Sequence, residues 1–143
     1  MKISQISVFL ENKKGRLYEV CRLFGENGIN IRALTIAEND EFGILRMVVN
    51  DPEKAIKVLK DNGIVAKQTE IIAVEVEDKP GGLAGILKAL EDSNVNVEYM
   101  YGFVEKHTDK ALMVFRFDNI DEAIKVLTKN NIKIVAKNDV IKL

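Results

Sequence analysis

Two short turns hold the residues of this chain best suited to chemistry, and each is a version of the other. The first reads Glu11-Asn12-Lys13-Lys14-Gly15-Arg16-Leu17 and the second Glu77-Asp78-Lys79-Pro80-Gly81-Gly82-Leu83. Each glycine stands just before a stretch with apolar residues at helical spacing. A helix opened by glycine offers unpaired backbone N–H groups and the positive end of its dipole, with no side chain in the way. That combination suits a carboxylate. Side-chain oxygens of Asn12 and Asp78 lie immediately before the turns and could accept from a cationic group. Lys14 and Arg16 could add cations to the first turn. Pro80 and Gly82 instead give the second a fixed φ and room for close backbone approach. Asn30-Ile31 and Asn96-Val97, at the start of a later strand in each copy, supply a second pair of polar groups. A plainer alternative stands beside this one. Asn12 and Asp78 could only cap helices, the glycines could only permit the turns, and Asn30 and Asn96 could only satisfy backbone at a strand entry.

The turns belong to a longer duplication. Gly81 follows Gly15 by 66 positions (81 − 15 = 66), as Asn96 follows Asn30. Ala55-Ile56-Lys57-Val58-Leu59 recurs as Ala123-Ile124-Lys125-Val126-Leu127, and Val65-Ala66-Lys67 as Val135-Ala136-Lys137. The offset drifts upward along the chain, as insertions in loops would cause. A unit of roughly 70 residues exceeds a solenoid repeat and suffices for a small domain with its own core. Two domains are therefore expected, residues 1–68 and 69–143.

Elements that could position the turns follow from periodicity. Ile6, Val8 and Leu10 alternate with Gln5, Ser7 and Phe9, the period of a strand. Leu17, Val20, Cys21 and Phe24 then take helical spacing, and Gly28 is placed to end that helix. Ile29 to Ala37 and Ile44 to Val49 read as strands joined by a hairpin at Asn39-Asp40-Glu41-Phe42-Gly43. Asp51 with Pro52 opens a second helix, Gly63 stops it, and Ile64 to Lys67 closes the unit. The second copy repeats this order. Its strands are expected near Ile72 to Val76, Val95 to Val104, Leu112 to Phe117 and Ile132 to Ala136, with Val140 to Leu143 extending an edge. Its helix stops fall at Asn94 and Asn131, and Asn119 with Glu122 caps the last helix. Each copy is thus βαββαβ, an α+β ferredoxin-like unit with an antiparallel sheet and both helices on one face. No Pro or Gly lies in Gln68-Thr69-Glu70, so one unit's closing strand can run straight into the next unit's opening strand. Apolar residues on both faces of Leu112 to Phe117, with the row Tyr99, Tyr101 and Phe103, call for a cover, either the other copy or a second chain.

Bulk composition excludes several classes. The 143 residues carry 21 Lys+Arg against 22 Asp+Glu, a net charge of −1, which argues against a nucleic-acid partner. The aromatic row invites an RNA-binding reading, but the glycine-aromatic RNA motif and a basic flank are both missing. One cysteine, Cys21, on an apolar stripe, allows neither an internal disulfide nor a cysteine-rich metal site. His107, the single histidine, falls in a polar loop with no partner residue. No run is long and apolar enough for a bilayer and no leader pattern is present, so a cytoplasmic protein without a membrane partner is expected. No cofactor or metal is implied.

A βαββαβ unit with a glycine turn after its first strand and an Asn-apolar pair opening its second resembles the ACT domain, a regulatory module that binds amino acids. The resemblance covers the whole chain as a tandem pair, most clearly in Glu77 to Leu83, Ala89-Leu90 and Val95-Asn96-Val97. It implies a non-enzymatic sensor with an amino acid held at an inter-domain or inter-subunit cleft, and the apolar strand faces add the expectation of a homodimer. Its ligand set would come from Asn12, Gly15, Arg16, Leu17, Asn30 and Ile31, and from Asp78, Pro80, Gly81, Gly82, Leu83, Asn96 and Val97. Leu17, Leu83 and Val97 hint at an aliphatic or aromatic ligand. The differing turns imply non-equivalent sites. A rival reading is a subunit docking onto a biosynthetic enzyme, similar to the small subunit of acetolactate synthase, and a third is a structural pair whose sites have decayed.

Overall fold

A computed structural model describes residues 1–38, 41–105 and 108–142. The expected hairpin tip at Asn39-Asp40, the expected loop position of His107 and the end of the expected edge at Leu143 lie outside the described residues. The chain divides into two compact units, Ser4–Thr69 and Glu70–Leu143, the latter joined by Met1–Ile3.

The first unit runs β1 (Ile3–Glu11), α1 (Arg16–Glu26), β2 (Ile31–Glu38), β3 (Phe42–Val49) and α2 (Pro52–Asp61), then enters β4 (Ala66–Val76). β3 lies between β1 and β2, antiparallel to both, so β2 is an edge. The closing segment lies along β1, with the Phe9 N–H donating to the Val65 carbonyl at 3.1 Å and Ser4 Oγ to Gln68 Oε1 at 3.1 Å. One face of β1 sends Ile6, Val8 and Leu10 into a core with Leu45 and Met47 of β3, Val20 and Phe24 of α1 and Leu59 of α2. Burying each such side chain contributes about 1.5–3 kcal/mol. Alternation does not leave the opposite face wet, for Gln5 and Ser7 are buried and Gln5 Nε2 donates to Ser7 Oγ at 3.4 Å. Asp51 caps α2 by accepting from the Lys54 N–H at 3.2 Å, with Pro52 in the first turn where its missing N–H costs nothing.

The second unit uses the rest of β4, then α3 (Gly82–Glu91), β5 (Val97–Gly102), β6 (Ala111–Phe117), α4 (Ile120–Lys129), β7 (Ile134–Val135) and α5 (Lys137–Ile141). β4 is flanked by β6 and β7, and β5 pairs with β6, all antiparallel. Ile72, Val74 and Val76 pack with Phe115, Phe117, Ile86, Leu90 and Leu127. Asn119 caps α4 by accepting from the Glu122 N–H at 3.2 Å. Both units are therefore βαββαβ with the helices on one face of an antiparallel sheet.

Three expectations change. Val140 does not extend an edge strand: Lys137–Ile141 is helical, with the Val140 N–H donating to the Ala136 carbonyl at 3.2 Å and the Val140 side chain buried. The pattern Asp-Val-Ile-Lys is too short to separate strand from helix, and burial of Val140 decides it. The closing strand shrinks from Ile132–Ala136 to Ile134–Val135. Asn94 does not take the left-handed backbone; the only non-glycine residue with positive φ among those described is Asn131, at 59°. α3 ends instead at Asp92, where Ser93 Oγ donates to the Leu90 carbonyl at 2.6 Å. The cover expected for the apolar rows is present in part, since Leu112, Val114, Phe115, Phe117 and Tyr101 are buried within the single chain while Tyr99, Phe103 and Met113 are partly buried.

Candidate functional site

Both glycine turns have the expected geometry. Gly15 and Gly81 have φ of 91° and 83° and stand at the N-caps of α1 and α3, with no side-chain cap on either helix. Left-handed backbone at these points strains any residue with a Cβ, and this is what requires glycine. A salt bridge braces each turn, Lys13 Nζ to Glu11 Oε2 at 2.9 Å and Lys79 Nζ to Glu77 Oε2 at 2.7 Å. The hydrogen bond from Lys79 holds the Glu77 carboxyl below its ordinary range, and the Lys110 charge adds to this. Lys13 does the same for Glu11.

Beside each turn lies a cleft between the start of the first helix and the segment after the second. Pro80, Gly81, Gly82, Gly85, Asn131 and Lys133 are among the residues lining the cleft of the second unit, about 500 Å³. The cleft of the first unit, about 300 Å³, is bordered at matching positions by Arg16, Glu19, Gly63 and Val65. Gly82 has no freedom to change, since a Cβ there would fall on the Glu77 carbonyl. The N–H groups of Leu83 and Ala84, in the first turn of α3, have no intrahelical acceptor to use.

Of the expected site residues, Pro80, Gly81 and Gly82 border the second cleft and Arg16 borders the first. Asn12 is exposed and its N–H donates to the Glu41 carbonyl at 2.9 Å; Asp78 is exposed on its turn and does not border the cleft. Leu17 is exposed, while Leu83 packs at the edge of the core. Asn30 and Asn96 open β2 and β5 by equivalent backbone bonds, Asn30 N–H to Asn50 Oδ1 and Asn96 N–H to Asp118 Oδ1, both 2.9 Å. Ile31 and Val97 follow them against the cores. A ten- or eleven-residue helix, roughly 15 Å long, separates each asparagine from the turn of its own unit. Within one unit the turn and the asparagine therefore do not share a pocket. Residues that sequence reasoning missed are Gly85, Asn131, Lys133 and Glu75, which also border the second cleft. Their structural counterparts are Glu19, Gly63, Val65 and Phe9; equivalent bonds, Phe9 N–H to the Val65 carbonyl and Glu75 N–H to the Lys133 carbonyl, pair Val65 with Lys133, where the repeat in the sequence matches it to Val135.

Other candidates are inert. Cys21 is partly buried, and burial pushes its thiol pKa up, against nucleophilic use. Among the described residues no group of three His, Cys, Asp or Glu side chains could hold a metal ion. No described helix is long and apolar enough to cross a membrane.

The model for an ACT domain pair matches residues 1–143. The chain belongs to the ACT domain pair family. A crystal structure of a Bacteroides thetaiotaomicron protein is similar to this ACT pair at 43% identity, with 100% of this chain and 98% of that one covered and a TM-score of 0.93. The regulatory subunit of aspartate kinase from Thermus thermophilus is similar at 14% identity, with 88% and 91% covered and a TM-score of 0.63. A structure of aspartokinase alpha and beta subunits gives 17% identity, 90% of each chain and a TM-score of 0.59. At these last two identities the likeness shows the tandem ACT fold alone. No curated protein matches the chain.

Proposed function

We propose that this ACT pair is a non-enzymatic cytoplasmic regulator that binds an amino acid and answers by shifting the geometry or affinity of its assembly. The observation that carries this reading is the open cleft beside Gly81 and Gly82 in a chain matched over its full length by the ACT pair family. An amino-acid carboxylate lies on the backbone N–H groups following Gly81, and Asp78, exposed on the turn outside the cleft, draws its ammonium group toward that side. Asn96 and Val97, distant within the unit, reach such a ligand only from a neighbouring unit or subunit, and the same holds for Asn30 and Ile31 toward Gly15. A ligand enclosed between two bodies favours the arrangement that encloses it, which is the physical basis of a sensor.

The assembly we favour is a homodimer. Leu34 and Ile36 on the edge strand β2 are 41% and 49% exposed although they pair with the core residues Met47 and Leu45. The rival, docking onto a biosynthetic enzyme, has support in the tandem fold shared with a regulatory subunit of aspartate kinase. Co-purification with a large catalytic chain would favour it, whereas ligand binding by the isolated protein favours the sensor.

Calorimetric titration tests the site. Gly81→Val should abolish binding, because a branched side chain is strained at a φ of 83° and crowds the donors. Asp78→Ala should weaken binding and leave the fold intact. If both variants bind the same amino acid as tightly as the parent, the site lies elsewhere.

A further inference from the structure

Three helices stop in the same way. Asn27, Asn62 and Asn130 close α1, α2 and α4, and each Nδ2 donates at 2.8 Å to the carbonyl four residues back, that of Leu23, Val58 or Val126. The next residue takes left-handed backbone, Gly28 at 68°, Gly63 at 70° and Asn131 at 59°. The residue after that, Ile29, Ile64 or Ile132, donates its N–H at 2.9 Å to the carbonyl of Phe24, Leu59 or Leu127. These are Schellman closures, with the asparagine carboxamide serving a further carbonyl of the last turn. The copies differ in one residue type. Both of these stops in the first unit read Asn-Gly, and no other asparagine of the chain precedes a glycine. The α4 stop of the second unit reads Asn130-Asn131.

We infer that Asn27-Gly28 and Asn62-Gly63 are sites of spontaneous deamidation, gated by opening of the helix ends they close, and that the α4 stop is spared. In this reaction the glycine backbone nitrogen gives up its proton and attacks Cγ of the asparagine. A C–N bond forms, the Cγ–Nδ2 bond breaks, and ammonia leaves with the proton. The five-membered succinimide that remains takes up water at one of its two carbonyls and opens to aspartate or isoaspartate. One water is consumed and one ammonia released, so no other reactant is needed. Glycine has no Cβ to obstruct the attack by its nitrogen, whereas Asn131 has one. The closed helix end opposes each step. The Gly28 N–H already donates to the Gly25 carbonyl at 3.4 Å, and the Gly63 N–H to the Lys60 carbonyl at 3.1 Å. A ψ of 13° at both asparagines turns the glycine nitrogen away from Cβ, where the ring has to close. Ring closure therefore waits for the last turn to open, an event of low free energy at a helix end. The product does not restore the turn. A carboxylate has no hydrogen to donate to the Leu23 or Val58 carbonyl, and it sets a negative charge at the negative end of the helix dipole. Asn62 and Gly63 also border the first cleft, so their conversion alters its wall in charge and in backbone length.

The test is incubation of the full chain at mildly alkaline pH and physiological temperature, followed by peptide mapping in a mass spectrometer and by isoaspartyl-specific methylation. Acid should accumulate at positions 27 and 62 and not at 130 or 131, and faster in urea, which opens the turns. Gly63→Asn copies the α4 stop, so it keeps the left-handed position and should end conversion at 62 while 27 continues. No atom lies within 4 Å of a Cβ added at Gly25, in the last turn of α1. Gly25→Ala should hold that turn closed more firmly and slow conversion at 27 about four- to fivefold, with 62 unchanged. Asn62→Asp, which installs the product directly, should lower the urea midpoint of the first unit. Equal rates in the native chain and in urea, an unslowed Asn27 in Gly25→Ala, or conversion at 130 matching that at 62 would overturn the inference. So would a folded chain that stays unconverted at both sites while the chain in urea converts fully.

Discussion

Alanine placed at each of three neighbouring glycines should give three different stabilities, and the order tests the turn geometry directly. Gly85 sits inside α3 with open space around it, so Gly85→Ala removes backbone entropy from the unfolded chain at no steric cost. It should stabilise by about 0.8–1.0 kcal/mol. Gly81 also has space for a Cβ but has a φ of 83°, and Gly81→Ala should destabilise by about 1–2 kcal/mol. Gly82 has negative φ and an ordinary first-turn position, yet its Cβ would meet the Glu77 carbonyl. The backbone must move there, at about 1–3 kcal/mol, partly offset by alanine's helix preference. Gly82→Ala should therefore lie about 1–3 kcal/mol below Gly85→Ala, since alanine's helix preference is common to both. Native-state hydrogen exchange under increasing urea, read at the β4 and β6 amides of Ile72 and Val114, reports the stability of this unit by itself. If Gly82→Ala is as stable as Gly85→Ala, the turn does not hold Glu77 against Gly82 and the cleft has a different wall.

Three further outcomes follow from other parts of the molecule. Sedimentation at micromolar concentration should show a dimer that Leu34→Glu with Ile36→Glu converts to monomer; a monomeric parent would remove the edge of β2 from the account. Asp51→Ala should destabilise the first unit by about 1 kcal/mol through loss of the α2 cap, seen as a lower urea midpoint with an unchanged slope; an unmoved midpoint would mean the cap bond is not made in solution. The Glu77 carboxyl, depressed below 4.5 by Lys79, contributes stability that is present above 4.5 and fades as pH falls through its lower folded value. NMR titration should find that value raised toward 4.5 in Lys79→Ala, and an identical titration in parent and variant would show that the pair is absent.

Much of the fold was legible because local chemistry and global pattern agree. Gly15, Gly28, Gly63 and Gly81 all take positive φ, and Asp51 and Asn119 cap the helices they precede. Misreadings fell where the sequence offers two solutions of similar local merit. Asn94 looks like a left-handed stop, but a serine one position earlier ends the helix by bonding back to Leu90. Val140 fits a strand or one helical turn, and its burial selects the turn. Gln5 and Ser7 look like a wet face of β1 and are buried, because hydrogen bonding meets the need that exposure would have met. For the candidate site, the sequence pointed to the glycine turns and to their inequality. It did not point to the wall opposite, since Asn131 and Lys133 come beside Gly81 only when α4 folds back along α3. Nor could it show that each asparagine lies a full helix length from its own turn.

The central claim is that this ACT pair senses an amino acid, and a thermal-shift panel of the twenty amino acids on the isolated protein tests it most directly. A ligand that binds only the folded state stabilises it by about 2.7 kcal/mol at one hundred times its dissociation constant. The account predicts a saturable rise in melting temperature with one or a few amino acids, aliphatic ones foremost, and no response to the rest. A melting temperature unmoved by all twenty at millimolar concentration would contradict it.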